Sequence, residues 1–189
     1  MKKKIITILI GVIFIMMTSA CGESKLHHVE INVKDMGTIS VELNESEAPI
    51  TVQNFIKLAN DGFYDGLTFH RIIDNFMIQG GDPKGNGTGG SDSTIKGEFK
   101  SNGITNNISH VRGTISMARN PYNKDSASSQ FFIVQKDSPH LDGDYAAFGT
   151  VTSGMEIVDE IAKNTPVEDA NGTVLKENQP IIESIKVID

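Results

Sequence analysis

The chain contains many short segments in which apolar and polar residues alternate, which is the period of a half-buried β-strand. In VEINVKDMGTISVEL (29–43) the alternation continues on both sides of Met36-Gly37, which predicts a β-hairpin with its turn there. Further β-type runs are separated by turn residues: LTFHRII, FMIQGG, GTISMAR, SQFFIVQ, AAFGTVT and IIESIKVI. Frequent short strands joined by turns predict a mainly β chain, folded as an antiparallel barrel or a sandwich.

Two widely separated segments instead have the period of amphipathic helices. The first, APITVQNFIKLANDG, has Pro49 where a first helical turn tolerates it and Gly62 as a C-terminal cap. The second, SGMEIVDEIAKN, places Ser153 and Glu156 at the spacing of a capping box. Their predicted apolar faces consist of Val52, Phe55, Ile56 and Ala59, and of Ile157, Val158 and Ile161. Long polar loops are expected at 81–109, 119–128 and 164–180.

The first 20 residues have the composition of a signal segment. Lys2–Lys4 form a basic start, and the apolar stretch IITILIGVIFIMM is short for a membrane span. TSAC follows and ends at Cys21, the only cysteine, which resembles a bacterial lipoprotein signal whose cysteine is lipidated and becomes the mature N-terminus. Thr18 stands where that signal usually has an aliphatic residue. The alternative is ordinary cleavage after Ala20, with Cys21 unmodified.

The signal segment, Cys21 and the strand and helix patterns together predict three parts of the chain: a signal peptide (1–20), a lipidated polar tether (21–28) and one folded domain (29–189). Lipidation is favoured because an unpaired thiol is a liability in an oxidising compartment. We therefore expect an extracytoplasmic domain that is lipid-anchored to the bacterial cell membrane through Cys21. The formal net charge is −7, and removal of the three lysines of the signal changes it to −10. So acidic a chain repels phosphate backbones, which excludes nucleic acid as a partner.

The stretch GNGTGG (85–90) matches the glycine pattern of dinucleotide-binding loops, but its neighbours do not fit one. Such a loop requires a strand before it and a helix directly after it. Here Pro83 cannot continue a central strand, and the following SDSTIKGEFKSNG is polar and lacks helical periodicity. The glycines therefore need another explanation than nucleotide binding.

Patterns for covalent or metal chemistry are also missing. The serines of DSASSQ do not lie in a nucleophile elbow, and the histidines lack the spacing of metal ligands, so we expect neither a metal nor a cofactor. Arg71 is harder to explain as a residue with a purely structural role. It shares one face of a β-type run with Phe69 and Ile73, has no evident local partner, and arginine is seldom buried without one.

The segments FHRIIDNFMIQGGD, GNGTGG, GTISMAR, SSQFFIV, HLDGDYAAFG and VTSGMEIVDEIA occur in the order typical of cyclophilins. The resemblance covers residues 29–189, nearly the whole mature chain. It implies a closed eight-stranded antiparallel β-barrel capped by two α-helices, with the active site in a groove on its outer face. It also implies peptidyl-prolyl cis-trans isomerase activity, and the glycines of 85–90 then form a loop that a peptide approaches closely.

The resemblance assigns roles to individual residues. Arg71 is implied as the catalytic arginine, with Phe76 and Gln79 beside it. The implied contacts to the substrate are Met77, Gly87, Ala118, Arg119, Gln130, Phe132, His140, Leu141 and Tyr145. His140 stands where well-known animal members have a tryptophan that contacts cyclosporin, so only weak cyclosporin binding is expected. Arg119 and Tyr145 likewise replace an asparagine and a histidine that are common in the family.

The expected function is an extracytoplasmic isomerase, acting as a monomer, that assists the folding of secreted or surface proteins. Its partners would be proline-containing peptides and unfolded or folding chains. The alternative is a binding module or chaperone that captures proline-containing segments, with incidental turnover. The combination of Arg71, Phe76, Gln79, Gln130 and Phe132 favours the enzyme, because a binding module has no need of the arginine.

Overall fold

The alternating segments and the two helical segments form ten regular elements in a computed structural model that describes residues 25–189. The strands are β1 (Leu26–Val33), β2 (Gly37–Asn44), β3 (Phe69–Ile73), β4 (Met77–Gly80), β5 (Thr114–Met117), β6 (Phe131–Val134), β7 (Ala147–Ser153) and β8 (Ile182–Val187). The helices are α1 (Pro49–Asn60) and α2 (Met155–Asn164), and single 3₁₀ turns lie at Lys100–Asn102, Pro139–Leu141 and Lys176–Asn178.

All eight strands belong to one antiparallel sheet, in the order β3-β4-β6-β5-β7-β2-β1-β8. The sheet curls until its ends meet beside β3 and β8, where Thr68 pairs with Ile181 and the Ile182 amide donates to the Leu67 carbonyl oxygen at 2.7 Å. A single curled sheet is a barrel and not a two-sheet sandwich. The prediction of eight antiparallel strands with two helices is confirmed.

The two-residue period of the strands separates an inner from an outer apolar cluster. On β6, Phe131 and Ile133 belong to the core inside the barrel, whereas Phe132 and Val134 belong to a smaller cluster on the outer face. The inner core is rich in aromatic rings, and Phe131 packs edge-on against Phe55 at a centroid distance of 5.4 Å. The fold thus leaves one apolar surface outside the barrel.

The beginning of α1 is stabilised by a distant side chain. Ala48 at the N-cap has no side-chain acceptor, and the buried Glu98 carboxylate accepts hydrogen bonds from the Ile50 and Thr51 amides at 3.0 and 2.8 Å. A carboxylate at this position also complements the helix dipole. Beyond the last turn, Gly62 adopts φ +69°, the left-handed conformation that favours glycine after a helix.

The predicted capping box of α2 is wrong. Ser153 remains in β7, where it pairs with Ser40, and the N-cap is Gly154, with φ +90° and no side-chain hydrogen bond. A Cβ atom on Gly154 would lie 2.6 Å from the Thr38 carbonyl oxygen, so the chain needs glycine to turn from strand to helix here. The predicted buried face of α2 is correct.

The folded domain begins earlier than residue 29. Leu26–His28, assigned from the sequence to the tether, are the first residues of β1 and pair with β2. Lys25, His27 and Gln53 converge on the Glu45 carboxylate, and their hydrogen bonds, led by that of Lys25, lower the pKa of Glu45 to about 2. Cys21 and the signal segment lie outside the described residues. Among residues 25–189, no helix has the length and apolarity needed to cross a membrane.

Candidate active site

Arg71 is held on the outer face of the barrel by acceptors from two different segments. It lies on β3 opposite Gln79 of β4, and its Nη1 donates to Gln79 Oε1 at 3.2 Å and lies 4.0 Å from Met77 Sδ. Its Nε donates to the carbonyl oxygen of Asn171 at 2.8 Å. Burial lowers the pKa of Arg71, and the negative charge of Asp169 opposes this effect. The half-buried guanidinium stays cationic.

Gln79 is itself oriented by a relay of amide groups. Its Nε2 donates to Gln130 Oε1 at 2.9 Å, and Gln130 Nε2 donates to the carbonyl oxygens of Gly89 at 2.7 Å and Gly87 at 3.2 Å. Because each amide has a defined donor and acceptor, the loop carbonyls determine which end of Gln79 faces Arg71.

The glycine loop is closed around a carboxylate of the protein itself. Asp82 accepts the backbone N–H groups of Lys84, Asn86 and Gly87 at 2.8, 3.1 and 2.6 Å. Burial of Asp82 opposes its ionisation, but these N–H groups outweigh that effect and lower its pKa. The donors that would cradle a phosphate are therefore already used, and no helix begins directly after the loop. The structure agrees with the rejection of a nucleotide site.

Beside Arg71, the outer apolar cluster forms a small cavity. Met77, Phe132, Val134 and Leu141 are buried there, with Phe76 packed against them. The cavity has a volume of about 130 Å³, similar to an engineered cavity of ~150 Å³ that binds benzene, so a proline ring fits. Its lining consists of Arg71, Phe76, Met77, Gln79, Ala118, Arg119, Phe132, Leu141 and Tyr145. All nine were predicted from the sequence as site residues.

The remaining predicted residues lie around this cavity. Gly87 and Gln130 line an adjoining cavity, which shares Gln79, Ala118 and Arg119 with the first. His140 is exposed on the rim, with its ring centroid 5.5 Å from that of Phe76. Within the lining of the first cavity, the Arg119 guanidinium lies 4.8 Å from the centroid of Tyr145. Cys21, the predicted lipidation site, is outside the described residues.

A buried histidine supports the cavity from behind, and sequence reasoning missed it. The ring of His110 stacks on Phe132 at 6.1 Å, with Nδ1 2.8 Å from Asp142 Oδ1 and Nε2 3.0 Å from Ser116 Oγ. This Ser-His-Asp arrangement is not a nucleophilic triad, because Ser116 is fully buried and no substrate can reach it. Burial lowers the pKa of His110, although Asp142 opposes the shift.

Sequence reasoning also missed Asn171, because it acts through its backbone carbonyl. The dipeptide Asn171-Gly172 signals a turn, but nothing in the local sequence shows that the turn reaches Arg71. In the described residues 25–189, no three His, Cys, Asp or Glu side chains are grouped so that they could hold a metal ion. The site therefore consists of an apolar cavity, an amide relay and two guanidinium groups, of which Arg71 is the one held by that relay.

Comparisons with known proteins agree with this geometry. Residues 28–187 match the family model described as cyclophilin type peptidyl-prolyl cis-trans isomerase/CLD. The chain is 50% identical over 145 residues to peptidyl-prolyl cis-trans isomerase B of Bacillus subtilis, covering 77% of this chain and 92% of the relative. It is 45% identical over 134 residues to a peptidyl-prolyl cis-trans isomerase of Helicobacter pylori, covering 70% of this chain and 78% of the relative.

A solved structure shares the fold. The crystal structure of a Cryptosporidium parvum cyclophilin type peptidyl-prolyl cis-trans isomerase, in the presence of the dipeptide Ala-Pro, aligns with a TM-score of 0.75 at 31% identity. The alignment covers 86% of this chain and 99% of that one. The family match spans nearly all of the described domain. The chain therefore belongs to the cyclophilin-type peptidyl-prolyl cis-trans isomerases and is an enzyme of that class.

Proposed function

We propose that Arg71 and the adjoining cavity isomerise Xaa-Pro bonds in proteins that fold outside the cytoplasm. The observation that carries this proposal is the pairing of a fixed guanidinium with an apolar cavity of about 130 Å³. Within residues 25–189, Nη2 of Arg71 makes no hydrogen bond, so it remains available to a substrate. The Cryptosporidium parvum relative crystallised in the presence of Ala-Pro supports a proline-containing peptide as the ligand.

The reaction needs no nucleophile, because no covalent bond breaks. Rotation about an amide is opposed by resonance, with a barrier of about 18–20 kcal/mol. In the twisted amide the prolyl nitrogen regains its lone pair and becomes a hydrogen-bond acceptor. Arg71 would donate to that nitrogen, while Phe132 and Leu141 hold the ring and exclude water. Such interactions accelerate rotation because they are stronger in the twisted state than in either planar isomer.

One hydrogen bond cannot supply the whole acceleration. A millionfold acceleration requires about 8 kcal/mol, whereas one charge-assisted hydrogen bond contributes roughly 1.5–3 kcal/mol. The larger part must come from desolvation and from gripping the proline while the preceding carbonyl group moves. The apolar cavity is therefore expected to matter as much as Arg71.

Replacing Arg71 tests its role directly. Arg71→Ala is expected to lower kcat by roughly 10- to 150-fold, the equivalent of one charge-assisted hydrogen bond, while the affinity for an Xaa-Pro peptide falls much less. A protease-coupled assay on the full-length protein, run over a range of substrate concentrations, measures kcat, and titration with an uncleaved peptide measures affinity. Equal losses in both quantities would contradict the catalytic role.

The matched control is Arg112, which is paired with Asp159 of α2 away from the cavity. Arg112→Ala removes the same side chain and the same charge, and it is expected to leave kcat unchanged. If Arg112→Ala reduced kcat as much as Arg71→Ala, the general loss of positive charge would explain both results. Retained peptide binding without turnover in the unmodified protein would favour the binding-module alternative.

The extracytoplasmic location is also a proposal, supported by the signal-like N-terminus. Because Lys25 is already fixed to Glu45 and Ser46, only residues 22–24 separate Cys21 from the folded domain. Four Cα–Cα steps span at most about 14 Å, so lipid on Cys21 would hold the domain against the membrane surface. Secreted chains emerging there would be its substrates.

Mass spectrometry of the mature protein tests the anchor. We expect an N-terminal Cys21 carrying lipid, and Cys21→Ser is expected to release the protein from the membrane fraction without changing kcat/KM. An unmodified Cys21, or a mature chain that begins elsewhere, would refute the lipid anchor while leaving the isomerase site unaffected.

A further inference from the structure

A turn formed by residues 168–173, after α2, pairs with β3 on the side away from β4. The Ile72 amide donates to the Gly172 carbonyl oxygen at 2.8 Å, and the Val174 amide donates to the His70 carbonyl oxygen at 3.1 Å. Arg71 itself forms an isolated β-bridge with Thr173. The turn is therefore docked along the strand that carries Arg71.

This docking places one carbonyl oxygen at the Arg71 side chain. The Asn171 carbonyl accepts Nε–H at 2.8 Å, and Gln79 Oε1 accepts from Nη1 at 3.2 Å. Two acceptors on different nitrogens define both the position and the plane of a guanidinium, whereas either one alone leaves it free to pivot. The Asn171 carbonyl is therefore half of the clamp on Arg71.

The Asp169 side chain holds the turn closed. Its Oδ1 accepts the amides of Asn171 at 2.9 Å and Thr173 at 3.1 Å, and its Oδ2 accepts the Thr173 hydroxyl at 3.1 Å. Gly172 lies between these residues with φ +79°, and a Cβ atom there would collide with the Ile72 carbonyl oxygen. The turn thus has one defined conformation, and Asp169 supplies most of its internal hydrogen bonds.

We propose that Asp169 is a positioning residue for the isomerase reaction: it fixes the turn whose Asn171 carbonyl orients the Arg71 guanidinium. This inference rests on the catalytic role proposed above for Arg71. Asp169 touches neither the substrate cavity nor the reacting atoms, since none of residues 168–173 lines that cavity. It acts on the reaction through the Arg71 guanidinium, which the turn orients.

The expected effect separates turnover from binding. In Asp169→Ala the turn loses three hydrogen bonds and the Asn171 carbonyl is no longer held, so kcat falls on the order of tenfold, below the hundredfold that a 1 Å misplacement can cost. The affinity for an uncleaved Xaa-Pro peptide stays within about twofold, because the apolar lining is untouched. Both quantities are measured on the full-length protein.

Two further variants control for charge. Glu168→Ala removes the same charge one residue away, from an exposed side chain that makes no hydrogen bond or ion pair within residues 25–189, and it leaves kcat unchanged. Asp169→Asn removes the charge but keeps Oδ1 as an acceptor for both amides. It is therefore expected to keep most of the turnover that Asp169→Ala loses. If Asp169→Asn lost as much turnover as Asp169→Ala, the charge and not the turn would be responsible, and the proposal would fall.

The Nε–H signals of the arginines in a nitrogen-15 NMR spectrum report the clamp independently of activity. Arg119 Nε donates to the Asp144 carbonyl oxygen at 2.8 Å, the same distance as in the Arg71–Asn171 bond, and serves as an internal reference. In Asp169→Ala the Arg71 Nε–H exchanges faster with water, while the Arg119 signal does not change. An unchanged Arg71 signal together with unchanged kcat would overturn the inference.

The spectrum also separates this inference from the role of Arg71. If Arg71→Ala kept full turnover, the proposed function of Arg71 would fail. Faster Nε–H exchange in Asp169→Ala would then still show that Asp169 holds the guanidinium. If Arg71→Ala lost turnover and Asp169→Ala lost neither turnover nor the exchange protection, only the positioning role would fail.

Discussion

Phe131 and Phe132 are neighbours on β6, and both are almost completely buried, yet they belong to different parts of the molecule. Phe131 points into the barrel, where its ring contacts other aromatic rings such as Phe55 and Tyr64. Phe132 points outward and contacts His110 and Tyr145. Burial alone therefore does not distinguish the core from the candidate site.

The two clusters differ in what borders them. Inside the barrel, the buried Tyr64 hydroxyl donates to the Ser129 carbonyl oxygen at 3.2 Å, and burial raises the pKa of Tyr64, so this ring stays neutral. The outer cluster is bordered by Arg71, His110 and Arg119, and it opens into a cavity. The inner cluster is suited to stability, and the outer one to binding and chemistry.

The largest predicted difference is between Phe131→Ala and Phe132→Ala. Phe131→Ala leaves an enclosed cavity and is expected to lower the free energy of unfolding by about 3–5 kcal/mol. Phe132→Ala is expected to cost about 1.5–3 kcal/mol, since water can enter from the open side and only the transfer energy is lost. Unlike Phe131→Ala, Phe132→Ala is also expected to lower kcat/KM, by at least roughly tenfold, because it removes one wall of the cavity.

Urea unfolding measures the first quantity, and the protease-coupled assay, corrected for the folded fraction, measures the second. Equal kcat/KM values for the folded molecules of both variants would contradict the assignment of the inner cluster to stability and of the outer cluster to binding. A greater destabilisation by Phe132→Ala than by Phe131→Ala would contradict it too.

This pair also illustrates what the sequence can and cannot predict. The run SQFFIVQ predicts a strand, and the two-residue period requires its adjacent phenylalanines to face opposite ways. The period does not reveal which of them faces the interior, because a fully apolar run has no polar side to mark the solvent. Only the resemblance to the family implies that Phe132 is the one that contacts the substrate.

Contacts between residues that are far apart in the sequence cannot be predicted from a local sequence pattern. Of the two partners of Arg71, Gln79 lies 8 residues away on the next strand, whereas Asn171 lies 100 residues away and uses a backbone carbonyl that every residue has. His110 and Asp142 are 32 residues apart and meet only because the sheet curls. The failed capping box at Ser153 has the same origin, since close approach to Thr38 dictates the backbone there.

A smaller effect is predicted for pH, and it arises from the outer cluster. The pKa of the buried His110 is lowered from 6.5, chiefly by desolvation, while the facing Asp142 opposes the shift and His140 adds to it. As the pH falls through 6.5, His110 therefore binds a proton in the unfolded chain but not yet in the folded chain. The contribution of His110 to stability is then fully present above pH 6.5 and decreases as the pH falls below it. His70 is expected to contribute in the same direction, because burial lowers its pKa too.

Urea midpoints at about pH 7.5 and about pH 5.5 measure this dependence. His110→Gln keeps a donor and an acceptor but cannot be protonated, so its midpoint is expected to change less between the two conditions than that of the unmodified protein. An identical pH dependence in both proteins would show that the acid sensitivity does not come from the histidine behind Phe132.

The smallest effect is predicted for His140 on the rim, which together with its neighbour Leu141 repeats the contrast between adjacent residues. His140 is exposed, packs beside Phe76 and does not line the cavity, so His140→Ala is expected to change kcat/KM by about twofold or less, as for most surface substitutions. Leu141 is 8% exposed and lines the cavity, so Leu141→Ala is expected to lower kcat/KM roughly tenfold. The same protease-coupled assay compares the two variants. A larger loss in His140→Ala than in Leu141→Ala would mean that the substrate is gripped at the rim and not in the cavity, which would move the binding surface away from Phe132.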